Sequence, residues 1–310
     1  MSQSHVSRLN STTSERSNDR QVSADNGDFK TALNDTPTQP ITASQKVEPQ
    51  PSHVRFGNFI DGNSNNKLDF NEIHNVEPMT SEQIGKEIAN SVPKNNLVNI
   101  IGMGEYHKAP PVTATSSAIK QSITNGRNAV ALIELPTQQF SKIVEEYSNG
   151  SISAQDLRLG METIHDKTLN QKGLLISQKQ EINDISQRII SAKEAGAEVG
   201  VFDTDIKTTD NRDATMEQNV SEKVDALKQK GKPTDIYVLT GALHAGIEGD
   251  PSDTLANHKS DLANPLIKRL EAKYGDDSVL SVAALSTTAP MKLMKVSDYE
   301  AIYILPSFER

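Results

Sequence analysis

Six short apolar runs punctuate the chain: LVNIIGM (97–103), AVALIEL (129–135), VGVFD (199–203), DIYVLT (235–240), SVLSVAAL (278–285) and AIYIL (301–305). Their apolar residues follow one another with little polar alternation, as in strands covered on both faces. Stretches with helical period lie between them. SEQIGKEIANSV (81–92) begins at a Ser81 cap, and TQQFSKIVEEYSNG (137–150) puts Phe140, Ile143, Val144 and Tyr147 on one stripe before Gly150. The segment 173–196 predicts a longer amphipathic helix closed by glycine. The segment 209–231 predicts another, capped by Asp210, and 262–275 a further one with Pro265 near its start. Strand and helix in repeated alternation predict an α/β fold, a mostly parallel central sheet with helices on both faces. Sites in such sheets sit beyond the carboxyl ends of the strands.

The first 50 residues break this pattern. They are rich in Ser, Thr, Asn, Asp and Gln, and Pro37, Pro40, Pro49 and Pro51 interrupt this stretch and its end. So little apolar surface cannot offset the entropy of ordering, which predicts a disordered N-terminal tail. The expected organisation is a disordered leader at 1–50, a linker with a loop and a helix at 51–94, and an α/β domain at 95–310. The tail reads either as a floppy extension or as a leader for a needle-type secretion system, with a secretion chaperone as its partner.

Charge and composition narrow the function. The net charge of −9 argues against nucleic acid as the main partner, because phosphate binding needs a basic surface. The chain has no cysteine, so thiol nucleophiles, disulfides and zinc-thiolate sites are excluded. No apolar run approaches a membrane span, and the N-terminus lacks the apolar core of a signal peptide. Export is therefore expected by a non-Sec route.

DGNSNNKLDFNE (61–72) resembles a calcium-binding EF-hand loop. Asp61, Asn63, Asn65, Lys67, Asp69 and Glu72 occupy positions 1, 3, 5, 7, 9 and 12, where oxygen ligands surround a hard cation. Lysine is allowed at position 7, which uses its backbone carbonyl. Position 6 is Asn66 in place of glycine, and there is no second loop to pair with. A weak calcium site and a polar loop that matches by chance both remain open.

Four motifs fall at the ends of the apolar runs. GMGEYH (102–107) brings Glu105 and His107, two apart and so on one side of an extended backbone, after glycines that permit a tight turn. Glu134 in ALIELP is a carboxylate in an apolar strand, costly to bury unless paired. In NRDATMEQN (211–219), Arg212, Met216 and Asn219 share one helical face whose continuation is apolar, so Arg212 needs an anion, for which Glu105 or Glu134 serves. TGALHAG (240–246) places His244 on a glycine-flanked turn. VFDTD adds Asp203 and Asp205 at another strand end.

In this order the motifs resemble the EreA/ChaN-like superfamily, which includes erythromycin esterases, haem-uptake ChaN proteins, the Tiki/TraB metalloproteases and a domain of some bacterial toxins. The resemblance covers residues 95–250 by motif. It implies that Glu105 and His107 match the family's GExH-type element, where the histidine is general base or metal ligand. Glu134 matches the second-strand acid, Arg212 and Asn219 the Arg–Asn helix, and His244 the GxxH histidine. Together with the leader, this domain looks most like a type III effector secreted into a host cell.

With no cysteine and no Gly-x-Ser-x-Gly elbow, the residues suit water activation rather than covalent catalysis. In the hydrolase reading, His107 takes a proton from water, and Glu105 and Glu134 tune histidine or hold a divalent metal. Arg212 stabilises developing negative charge, and His244 is general acid or second ligand. The rival readings are a pocket for haem, lipid or nucleotide, and an effector recognised by a host protein without catalysis.

Overall fold

The computed structural model describes residues 56–57, 79–105, 110–169, 179–204, 212–246, 264–286 and 299–305. All fall in the unit Pro51–Arg310. The leader at 1–50, the calcium-type loop at Asp61, Asn63, Asn65, Lys67, Asp69 and Glu72, and also His107, Asp205 and Asp210, lie outside the described residues.

All six apolar runs are strands, and a two-residue strand precedes them. In chain order they are β1 (Phe56–Gly57), β2 (Val98–Glu105), β3 (Asn128–Pro136), β4 (Glu198–Asp203), β5 (Thr234–Gly241), β6 (Val279–Ser286) and β7 (Ala301–Leu305). Every pairing between them is parallel, and the sheet order is β1-β7-β6-β2-β5-β3-β4. The helices are α1 (Ser81–Ser91), α2 (Val112–Thr124), α3 (Thr137–Ser148), α4 (Ala154–Leu169), α5 (Lys179–Glu194), α6 (Arg212–Lys230), α7 (Ala242–Ala245) and α8 (Leu266–Tyr274). No helix among the described residues is long and apolar enough to cross a membrane.

Two apolar cores sandwich the sheet. Alternate strand residues such as Ile101, Met103, Ala131, Ile133, Tyr237 and Leu239 pack under α1 to α5. Their neighbours Ile100, Val130, Leu132, Ile236 and Val238 pack under α6 to α8. This two-sided burial is why the strands read as unbroken apolar runs.

The local signals resolve in detail. The cap of α1 is Thr80 rather than Ser81: Thr80 Oγ1 accepts from Gln83 N at 3.2 Å, and Gln83 Oε1 accepts from Thr80 N at 2.8 Å. That reciprocal box satisfies two orphan helix donors. Gly150 and Gly196 follow α3 and α5 at φ +84° and +103°, a left-handed conformation that favours glycine. The helices α2 and α4 were not expected. VTATSSAIKQSIT is rich in Thr, Ser and β-branched residues, poor helix formers, but burial of Ala114, Ala118 and Ile119 overrides that preference.

The topology positions the site. The chain leaves β2 and β3 for helices on one face of the sheet, and leaves β4 and β5 for helices on the other. Strand β5 lies between β2 and β3. Adjacent strands whose connections diverge leave a crevice at their carboxyl ends. The register sets Glu105 beside Gly241 and Ile133 beside Leu239, so Glu105, Glu134 and Thr240 reach the same rim.

Candidate functional site

Glu134, Asp203, Arg212, Asp213 and His244 come together at this rim. Glu134 projects from β3 into the α6–α8 side. Its Oε2 accepts from Thr240 Oγ1 at 2.6 Å and from the Gly241 backbone N–H at 2.7 Å, both on β5. Its Oε1 accepts from Arg212 Nη2 at 2.5 Å. Arg212 opens α6 and also forks onto the end of β4, with Nε donating to Asp203 Oδ1 at 3.0 Å and Nη2 to Asp203 Oδ2 at 2.7 Å. One guanidinium thus ties two buried carboxylates on neighbouring strands, a planar geometry that only arginine offers. The Thr204 N–H adds a bond to Asp203 Oδ1 at 2.7 Å. Glu134 is the anion that the inward-facing Arg212 required, and Asp203 is a second one.

The electrostatics follow from burial and crowding. Burial raises the Asp203 pKa, the bonds from Arg212 pull it down, and the charge of Glu134 raises it again, for a net rise. Burial opposes the charge on Arg212, but Glu134 and Asp203 outweigh it and hold the guanidinium firmly protonated.

His244 sits on the one-turn helix α7 rather than on a bare turn. Asp213 Oδ1, the second residue of α6, lies 2.7 Å from its Nδ1. This is an ion-pair contact off the line of the ring N–H, so it falls short of a straight hydrogen bond. Across the ring, Nε2 stands 3.2 Å from Arg212 Nη1 and 3.9 Å from Glu134 Oε1. Burial pulls the imidazole pKa down, but the nearby carboxylates of Glu134 and Asp213 prevail over it and over Arg212, pushing it up to about 8. The side chains of His244 and Arg212 keep 16% and 13% of their surface exposed, so the site opens to solvent there while its carboxylates are buried.

Glu105 takes a different course. In β2, Ile101 and Met103 face the α1–α5 core, and Glu105 follows them in alternation to that side. Its Oε1 meets Arg188 Nη2 of α5 at 2.6 Å, with both side chains almost wholly buried. The two share a small cavity with Thr115, Ser116 and Leu239. Glu105 therefore does not serve as the anion of Arg212, and it projects from the face of the sheet opposite Glu134. The glycines before it do not make a turn either. Gly102 and Gly104 are strand residues: a Cβ on Gly104 would lie 2.7 Å from Ala245 Cβ and 2.9 Å from Ala242 Cα. Gly104 lets the helix bearing His244 lie directly on β2, while a Cβ on Gly102 would meet Ile267 of α8 at 2.4 Å.

Asn219 has a tethering role here, its Nδ2 donating to the Phe202 carbonyl at 2.9 Å and tying α6 to β4. Asp213 and Arg188 were missed in the sequence. Asp213, at 0% exposure, reads in sequence as an ordinary acid in a first helical turn. Arg188 lies four residues before the buried Ala192 on a stripe with Ile185, so the rule that singled out Arg212 would have found it.

A divalent metal does not fit between Glu134 and Asp203, because Arg212 already occupies their facing oxygens with a positive charge. Among the described residues no group of three or more His, Asp or Glu could hold a metal ion.

No protein-family model matches the chain, and no curated protein does. Among solved structures, the type III effector HopBA1 is similar over 73% of this chain and 94% of its own, at 12% identity and a TM-score of 0.42. A mutant of the erythromycin esterase EreC in its open conformation is similar over 71% of this chain and 74% of its own, at 14% identity and a TM-score of 0.34. A Bacillus cereus protein covers 67% of this chain, at 12% identity and a TM-score of 0.28, with 76% of its own length matched. Similarities this distant carry no argument about the chemistry of the site.

Proposed function

We propose that the chain is a secreted bacterial effector whose domain hydrolyses a host or bacterial small molecule by activating water at His244 and Glu134. The observation that supports this most is the placement of His244 Nε2, which faces Arg212 at 3.2 Å and Glu134 at 3.9 Å on a part-open strand rim. An incoming water replaces the Arg212 contact at Nε2. The ring takes one proton from the water as its oxygen attacks the electrophilic carbon, then returns that proton to the leaving group. Glu134, held at Oε2 by Thr240 and Gly241, stabilises the imidazolium through Oε1. Arg212 is bound to two carboxylates, so its work is to position them and to keep Nη1 at the reacting centre. His107, outside the described residues, is the sequence's candidate for a second proton carrier. The Ser/Asn-rich first 50 residues support delivery into a host cell by a needle-type system.

The test is turnover of a panel of ester, amide and lactone substrates by the full chain, beside His244→Gln and Glu134→Gln. Turnover lost in both variants supports the reading. Turnover equal in all three overturns it. A host-cell phenotype that survives both substitutions favours an effector that acts by binding a host protein. A Soret band on haem titration favours a ligand-binding pocket.

A further inference from the structure

The feature of the site that no sequence motif assigned is the buried carboxylate behind His244. Asp213 is wholly excluded from solvent, its Oδ1 lies 2.7 Å from His244 Nδ1, and neither of its oxygens has a hydrogen-bond partner of good geometry among the described residues. A buried carboxylate without full satisfaction is costly to keep. Such a group persists where something else depends on it.

We infer that Asp213 is the positioning residue of His244: it holds the neutral imidazole as the Nδ1–H tautomer, leaving the Nε2 lone pair as the working atom of the site. Two contacts on opposite edges of the ring agree. Asp213 Oδ1, a carboxylate oxygen 2.7 Å away, favours a proton on Nδ1, while Arg212 Nη1 is a donor only and needs a lone pair on Nε2 at 3.2 Å.

The covalent frame makes this pairing rigid. Asp213 and Arg212 are adjacent residues at the start of α6, so the helix presents a carboxylate to one ring nitrogen and a guanidinium to the other. Arg212 is itself pinned to β3 and β4 through Glu134 and Asp203. Asn219 bonds the next turns of α6 to Phe202. Among the described residues, the charged groups around the ring are Glu134 from β3 and Arg212 and Asp213 from α6, with Asp203 behind Arg212. Protonation at Nε2 ends the Arg212 contact and leaves Glu134 Oε1, at 3.9 Å, as the anion facing that nitrogen. The site therefore has two states that differ by one proton and one partner, with Nδ1 on Asp213 in both.

The inference rests on the hydrolase reading only for its kinetic consequence, and the tautomer is measurable without turnover. The experiment is nitrogen NMR of the full chain with labelled histidine, the His244 signals assigned by their loss in His244→Gln. Above the titration of the ring, the wild type is expected to show the Nδ1–H form. Asp213→Asn keeps the shape and removes the charge, and is expected to lower the His244 pKa by about one unit or more. Asp213→Glu is expected to restore part of that shift. If turnover is found, Asp213→Asn should lower kcat on the order of 10²-fold with little change in KM. A wild-type ring in the Nε2–H form overturns the inference, and this arm needs no folded variant. So does a folded Asp213→Asn whose His244 titrates as in the wild type. Absence of turnover together with the Nδ1–H form and the shifted titration leaves the pairing intact and counts against the hydrolase reading alone.

Discussion

The carboxylate of Glu134 is divided between a strand and a helix: Arg212 Nη2 of α6 reaches its Oε1 at 2.5 Å while β5 supplies two donors to Oε2. Glu134 therefore locks β3 to β5 and both to α6. The group that the proposed chemistry uses also holds its rim together.

Removing that carboxylate should be costly in a particular way. Glu134→Ala leaves Arg212 with one anion and strands the Thr240 hydroxyl and the Gly241 N–H. Breaking a buried pair in this manner costs about 3 to 5 kcal/mol. Glu134→Gln keeps acceptors for β5 and should cost less. Urea denaturation of the two variants checks the order, and equal losses would mean that the β5 bonds do not matter.

The pH dependence of stability has a definite sign at His244. The folded ring has a pKa of about 8 against the ordinary 6.5, so the folded state binds the proton more tightly than the unfolded chain. The stabilisation is complete below about pH 6.5 and is lost as pH rises through about 8. The gap corresponds to stability on the order of 2 kcal/mol. Thermal midpoints should fall across that window in the wild type and fall less in His244→Gln. Parallel curves would refute the shift.

Gly104 is the seat of the helix that carries His244. A methyl there meets Ala242 and Ala245 closer than real carbon contacts allow. Gly104→Ala should cost about 1 to 3 kcal/mol, as overpacking does. It should also move the His244 NMR signals, because the intruding methyl pushes α7 off the sheet. A stable variant with unchanged signals would show that α7 has slack.

The Glu105–Arg188 pair allows a double-substitution test. Arg188→Met should destabilise by about 3 kcal/mol or more because it breaks a buried ion pair, and adding Glu105→Met should recover part of the loss. Denaturation of the two single variants and the double variant measures the coupling. Simple additivity would mean that the two charges act independently.

The character of each strand was written locally. Runs such as ALIEL and IYVLT have neighbours on both faces, as a covered parallel strand provides. Glu134, Arg212 and His244 were also legible, since a charge on an apolar strand or stripe announces a partner. The partner's identity was not. Glu105 and Glu134 look alike along the chain, each a carboxylate closing an apolar run, but one residue of difference in the alternation sends them to opposite faces. One meets Arg188 and the other Arg212.

Asp213 was invisible for the same reason. Its neighbour is obvious in sequence, but its burial depends on α7 returning over β2, a contact between residues more than a hundred positions apart that the glycine of β2 permits. Local order follows from the covalent chain and from side chains close in number. Which charges meet is decided by strand order and by the side of the sheet, and those are settled only when β5 inserts between β2 and β3.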